Sequence, residues 1–497
     1  LPFWLGALFV QWAPAGFEAL FARLPFVAML AGTLAATWYA VYALTRHPSA
    51  QPVAFAFGGE AKPADYARAM ADGGLLALLA CLGLAQLSHE TTPALTQLFF
   101  TALLFFGLAN SGRHRLQSGV AVAASLLGLT LSGAPALALW LGLGGAVLCA
   151  TAHADPTQRR LSMLDLGLLG LVCLLCITLA GALDLWRWRV VPHRIADVHI
   201  LAKLIAWFTW PAWPLALWSL WRWRGQLSQG WRFLHLSLPL WFVLVTVGAT
   251  WFTGLSDRAL LTALPAIATL AALALPTLKR SLGALIDWFT LLFFSVCALV
   301  IWVVWVAMQT GTPARTAANV TRLAPEFVPE LSFGATAVAL LATLAWAALV
   351  RWRTGHHRAA IWKSLVLPAG GAVLCWLLLT TLWLPLLDYA RSYAPLVQKI
   401  MRFTGPTPCL QYAGINKAQA TALMYHAHVK LMPVQAPNAT CNWLLVDKIN
   451  QATWSEKVEA LGWVEVTAIK RPTDKSETLV IYRPATGLLT ATAPQQN

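Results

Sequence analysis

The 497-residue chain is 58% hydrophobic and only 11% charged, with a mean hydropathy of +0.63, whereas a soluble chain carries about 25% charged residues. These values exclude a cytosolic enzyme, a disordered chain and a disulfide-stapled mini-domain, and they identify a polytopic membrane protein. The net charge of +15 is tested first as a topology signal, because basic residues of a membrane protein mark the cytoplasmic side before they mark nucleic acid.

Twelve apolar segments follow in chain order, near 24–45, 73–88, 95–110, 118–132, 136–150, 163–184, 201–221, 234–252, 259–276, 284–308, 334–350 and 363–386. Helices are expected, since lipid tolerates only backbone whose hydrogen bonds are made internally, and the alternation of a barrel strand is absent. Alternate loops, 46–72, 111–117, 151–162, 222–233, 277–283 and 351–363, hold sixteen Lys and Arg. The opposite short loops hold six: Arg187, Arg189, Arg194, Arg258, Arg315 and Arg322. The positive-inside rule therefore places the residues before the first span and the tail after the last on the non-cytoplasmic side. Pairs such as Arg351 and Arg353 read as cytoplasmic anchors, no nucleic-acid partner is called for, and the surrounding lipids are the first partner.

Many of the 26 Trp lie at span ends, among them Trp207, Trp210, Trp213, Trp218, Trp221 and Trp223, as rings at the membrane–water boundary do. Six of the eight Cys, including Cys173 and Cys176, lie within spans and read as small apolar residues. Cys409 and Cys441 lie in the tail assigned to the oxidising side, where either a disulfide or two buried thiols fits.

The chain changes character at the tail, giving two expected domains, 1–386 in the membrane and 387–497 outside it. Strands are predicted at Cys409–Tyr412, Val429–Pro433, Trp443–Asp447, Val464–Lys470 and Thr478–Tyr482, with helices near Lys417–His426 and Thr453–Leu461. A small extracytoplasmic α/β domain results. The tripeptides Asn438-Ala-Thr440 and Asn319-Val-Thr321 match a glycosylation acceptor, a pattern too common to decide anything.

No phosphate-binding glycine loop, zinc-protease helix or serine-hydrolase elbow stands in usable context, so chemistry is sought at the membrane border. Eight of the 20 acidic residues face outward: Glu18, Glu90, Asp184, Asp197, Asp257, Glu326, Glu330 and Asp388. They accompany arginines that the topology rule disfavours there. The loop from Trp186 to His199 holds Arg187, Arg189, His193, Arg194 and Asp197. It suits either an anionic ligand, which guanidinium groups bind bidentately, or ordinary phospholipid headgroups. In the hairpin Gly254-Leu255-Ser256-Asp257-Arg258, the last two residues either pair with each other or set Arg258 on a phosphate with Asp257 orienting it. The turn His89-Glu90-Thr91-Thr92-Pro93 puts a His beside a carboxylate at an outward cavity, or simply starts a helix.

These segments together resemble one family. Pro2-Phe3-Trp4-Leu5-Gly6-Ala7-Leu8, then Phe17-Glu18 through Arg23-Leu24-Pro25 and a long span, is similar to the stretch after the first outer loop of bacterial GT-C glycosyltransferases. These include the lipid A aminoarabinose transferases and the protein O-mannosyltransferases. The turn His89 to Pro93, the glycine-containing turn Gly128 to Ala134, and Ser256-Asp257-Arg258 before Leu260 and Pro265 resemble further family segments. The resemblance covers nearly the whole chain.

It implies an enzyme of the bacterial inner membrane that takes a sugar from a polyprenyl-phosphate donor at the outer face and passes it to a lipid, glycan or protein acceptor with inversion. It also implies Glu90 and His89 as catalytic groups, Arg258, Arg187, Arg194 and His193 around the donor phosphate, and Asp257 and Asp197 in support. No cofactor is called for beyond a divalent metal that some relatives use, and no metal-ligand cluster stands in this sequence.

The departures are specific. Relatives carry their principal catalytic acid in a first outer loop upstream of the segment that opens this chain, so that loop and its span are expected before Leu1. The Tyr that relatives place after Arg258 is absent. A non-catalytic subunit of the same fold, and a lipid-linked sugar transporter, are the alternative classes. The transporter would show matched halves with broken helices, and these are not evident.

Overall fold

The computed structural model describes residues 1–51, 62–152, 162–187, 190–355, 361–405, 409–435 and 441–485. Glu60, Asp155, Arg189 and the Asn438 tripeptide lie outside those residues, as do parts of three basic loops.

Each of the twelve apolar segments is helical. Among the described residues seven helices are long and apolar enough to cross a membrane: Glu18–Thr45, Met163–Ala182, Leu234–Thr253, Asp257–Thr277, Ser281–Thr310, Phe333–Thr354 and Ile361–Leu382. Pro93–Ala109, Arg115–Leu131 and Pro135–Thr151 are shorter apolar helices.

Two segments read as single spans are broken. The segment 201–221 folds as Val198–Phe208 and Ala212–Arg222, bent by 101°. Pro211 lacks the N–H that would continue the ladder, and its ring disfavours helical backbone at Trp210. The segment 73–88 is interrupted at Cys81, whose backbone is extended between the helices Pro63–Ala80 and Leu82–Leu87. The two breaks meet: the Leu82 N–H donates to the Trp210 carbonyl at 3.1 Å.

The chain divides into two compact units, Leu1–Ala298 with Leu341–Leu377, and Leu299–Leu340 with Leu378–Asn497. In the first unit every residue from Leu260 to Leu275 is buried, and Pro63–Ala80, Pro93–Ala109, Ala212–Arg222 and Leu234–Thr253 pack against the helix Asp257–Thr277. Glycines bring neighbours close: a Cβ on Gly32 would meet the Phe99 ring at 2.5 Å, and one on Gly128 would meet Phe100 at 2.3 Å. In lipid, such small residues let helices approach where no hydrophobic drive between them exists. At one end of this unit basic side chains tie helix ends together. Arg113 donates to the Ala43 carbonyl at 3.1 Å, Arg115 pairs with Asp165 at 2.6 Å, and Arg353 pairs with Asp287.

The second unit contains a five-stranded sheet, β1 (Leu410–Ala413), β2 (Leu431–Pro433), β3 (Trp443–Asp447), β4 (Trp463–Arg471) and β5 (Asp474–Pro484), in the order β2-β1-β3-β5-β4. β1 runs parallel to β2 and β3, while β5 runs antiparallel to β3 and β4. The helices Lys417–Ala427 and Gln451–Ala460 lie between strands in sequence as predicted. Central β3 is covered on both faces. Leu445 packs with Leu396, Val397, Ile400 and Ile481, and Leu444 and Val446 pack with Val458, Trp463 and Tyr482. Two-sided burial explains its unbroken apolar run. Cys409 and Cys441 are joined as a disulfide with Cα atoms 5.0 Å apart, which resolves the choice between bridge and thiols.

Candidate active site at one end of the helical unit

The end opposite the Arg113–Ala43 contact gathers the ends of several helices. Helix Leu234–Thr253 stops at Gly254, whose φ of +114° is a conformation that side-chain-bearing residues rarely adopt. The reversal lets the Leu255 N–H return to the Thr250 carbonyl at 3.0 Å and starts the helix Asp257–Leu260 at once. Arg258 is thereby held at the mouth of the buried helix Asp257–Thr277.

Its partner is not the neighbouring acid. Arg258 Nε donates to Glu90 Oε2 at 2.8 Å and Nη2 donates to Oε1 at 3.0 Å, a two-pronged pair between segments 168 residues apart. Asp257 instead accepts the Arg258 backbone N–H at 2.8 Å. Glu90 is placed by the short helix Leu82–Leu87, its N–H returning to the Leu87 carbonyl at 3.2 Å. The Glu90 side chain is 22% exposed and that of Arg258 54%, so the pair lies at an open border. Among the described residues Arg258 Nη1 has no partner, which leaves donors for an anion. The His89 ring lies 5.1 Å from that of Trp376.

The segment 190–197 adjoins the same end, since the Val191 N–H donates to the Phe252 carbonyl at 3.0 Å and a Cβ on Gly254 would stand 3.7 Å from a Val191 methyl. Among the described residues the hydrogen bonds and ion pairs of the cations between Asp184 and Asp197 lie within the loop. Arg187 binds Asp184 within its own turn at 2.8 Å, both largely exposed, and Arg194 makes no ion pair among the described residues. Asp197 accepts the Arg194 backbone N–H at 2.8 Å. His193 behaves differently: its side chain is 11% exposed, its ring lies 5.1 Å from that of Trp251, Nδ1 is 3.7 Å from Asp197, and buried Nε2 has no hydrogen-bond partner among the described residues. An unpaired buried ring nitrogen is costly and marks a position where a ligand or water would be taken up.

A cleft of about 290 Å³ opens beside Pro93 at this end, lined by Phe3, Trp4, Leu131, Gly133, Leu183 and Leu185 among others. Among the described residues no group of three or more His, Cys, Asp and Glu is arranged to hold a metal ion. Pairing of Glu90 with Arg258 was hidden from sequence reasoning, because neither spacing nor periodicity links the two positions. Trp376 was missed for the same reason, and Asp184, though counted among the outward acids, was not paired with Arg187 despite a usable signal, an Asp three residues before an Arg.

The architecture is that of an integral membrane protein of many helices with a small sheet domain, and its end site combines a carboxylate, a His and an arginine fork. This fold is shared with crystal structures of ArnT from Cupriavidus metallidurans. The one bound to undecaprenyl phosphate aligns with a TM-score of 0.57 and 12% identity over 97% of this chain and 87% of that one. The apo structure aligns with a TM-score of 0.56 and 13% identity over 98% and 87%. The resemblance to lipid A aminoarabinose transferases read from the sequence thus extends to the backbone over nearly the whole chain. No family model and no curated protein matches the sequence.

Proposed function

We propose that this protein is a glycosyltransferase of the bacterial inner membrane. It moves a sugar from a polyprenyl-phosphate carrier to a lipid, glycan or protein acceptor at the outer face, with residues 387–497 forming a periplasmic domain. The observation that carries this reading is the Arg258–Glu90 fork, an oriented and half-exposed guanidinium with unused donors beside the loop that holds His193. That the ArnT structure of the same fold holds undecaprenyl phosphate supports the choice of carrier.

In this reading Arg258 binds the carrier phosphate, with Arg194, Arg187 and His193 supplying further donors from the adjoining loop and Asp257 and Asp197 bracing the two turns. The acceptor hydroxyl attacks the anomeric carbon, the bond to the phosphate oxygen breaks, and the charge gained by the departing phosphate is stabilised by groups already in place. As the phosphate draws the guanidinium toward itself, Glu90 is freed to take the acceptor proton, with His89 beside it.

The experiment follows radiolabelled sugar from a polyprenyl-phosphate donor in vesicles containing the protein. Covalent label in a lipid, glycan or protein fraction supports transfer. Label crossing the vesicle without covalent product identifies a transporter, and neither result from a folded protein identifies a non-catalytic subunit.

A further inference from the structure

The two broken helices cross at their breaks, and one of them carries the proposed catalytic turn. Cys81 is fully buried and its extended backbone leaves the Leu82 N–H without an acceptor in its own helix. That N–H donates to the carbonyl of Trp210, whose helical donor four residues on would be Pro214, which has no N–H. Cys81 Sγ, which also donates to Ala77, is 3.9 Å from the Thr209 carbonyl. Each break therefore satisfies backbone groups that the other exposes, as helix breaks at membrane depth require. One residue further along the chain from Leu82, a Cβ on Gly83 would stand 2.4 Å from two carbons of the Phe208 ring. Gly83 and Phe208 are both buried.

From Gly83 to Glu90 the chain runs through a single short helix, Leu82–Leu87, whose Leu84 and Leu87 are also buried. The height of that helix over Phe208 thus sets where Glu90 stands opposite Arg258. On the other side of the crossing the helix Val198–Phe208 leads back to Asp197 and His193. We propose that the crossing of Cys81–Gly83 with Phe208–Pro211 is a positioning element for the active site, in which the absence of a side chain at Gly83 seats Glu90 within reach of Arg258. Gly83 and Phe208 are positioning residues and touch no substrate. The inference rests on the transferase reading for its functional meaning, but its geometry is testable without turnover.

The test uses the full chain carrying Glu90→Cys and Arg258→Cys, joined in vesicles by a short bifunctional thiol reagent whose reach matches the removed Glu–Arg fork, with the peptide linked between positions 90 and 258 quantified by mass spectrometry. Gly83→Ala is expected to lower the yield at least fivefold, and adding Phe208→Leu, which withdraws the ring carbons from the new methyl, to restore it to within twofold. In the chain with native Glu90 and Arg258, Gly83→Ala should lower kcat of sugar transfer more than tenfold with little change in KM, and Phe208→Leu should rescue it. An unchanged cross-link yield in folded Gly83→Ala, or a loss that Phe208→Leu does not repair, overturns the proposal. Should Gly83→Ala fail to fold, Phe208→Ala loosens the contact from the other side: a fall in yield supports the proposal and an unchanged yield overturns it. Transfer absent from every variant, with cross-linking behaving as expected, refutes the transferase reading and leaves the positioning geometry standing.

Discussion

Replacing Arg258 by Ala separates a structural ion pair from a phosphate-binding group by comparing two magnitudes. The pair has two hydrogen bonds of 2.8 and 3.0 Å, but the Arg258 side chain is 54% exposed. At such exposure water and side-chain entropy offset most of the attraction, so the loss of folding stability is about 1 kcal/mol or less. A donor aimed at charge that grows in the transition state is worth about 2.7–4 kcal/mol, or roughly 100- to 1000-fold in rate. Arg258→Ala is therefore expected to lower kcat/KM for transfer from a polyprenyl-phosphate donor by roughly 100-fold or more, while thermal unfolding in detergent moves little. Arg258→Lys keeps the charge, loses the planar fork and should fall between. The assay is initial-rate transfer of labelled sugar by purified protein, with unfolding followed in parallel. Activity of Arg258→Ala within threefold of the parent, or recovery of activity on adding Glu90→Gln, would mean that the arginine serves only its carboxylate, and the proposed role would be wrong.

Three further outcomes follow from packing. Gly254→Ala places a Cβ on backbone at φ +114° and should cost about 1–2 kcal/mol, read as a lowered unfolding midpoint. Arg353→Ala leaves Asp287, 17% exposed, without its cation, and a loss of about 3–5 kcal/mol is expected from breaking a largely buried pair; the further change Asp287→Asn should recover part of it. Cys441→Ala opens the link that spans a sequence separation of 32 residues. It should destabilise the sheet domain by about 3–4 kcal/mol, visible as faster proteolysis of the tail while the helical unit stays protected.

What was legible in the sequence follows the solvent that each part faces. In lipid a backbone must bond to itself locally, so apolar length alone locates helices, and each of the twelve segments is helical. In the tail, short runs such as Trp443–Asp447 between turn and helix signals mark strands, and that strand has the predicted bounds. The break at Cys81 was not legible, because the residue is an acceptable helix former and its extended backbone is stabilised by the distant Trp210 carbonyl. Pro211 carried a signal for the other break, which the reading of 201–221 as a single span passed over.

For the site, composition singled out the rare outward charges, including Glu90, Arg258 and His193, because ionisable groups are expensive at a membrane and stand out against 58% hydrophobic residues. Their grouping was a matter for tertiary structure. Arg258 takes Glu90 rather than Asp257, Arg187 stays with Asp184, and His193 sinks against Trp251. Local periodicity reports how a segment meets its solvent, whereas partnership between side chains depends on which helix ends the packing brings together. The sheet order β2-β1-β3-β5-β4 is of the same kind: strand positions are local, but the neighbour of each strand is chosen by the core it helps to close.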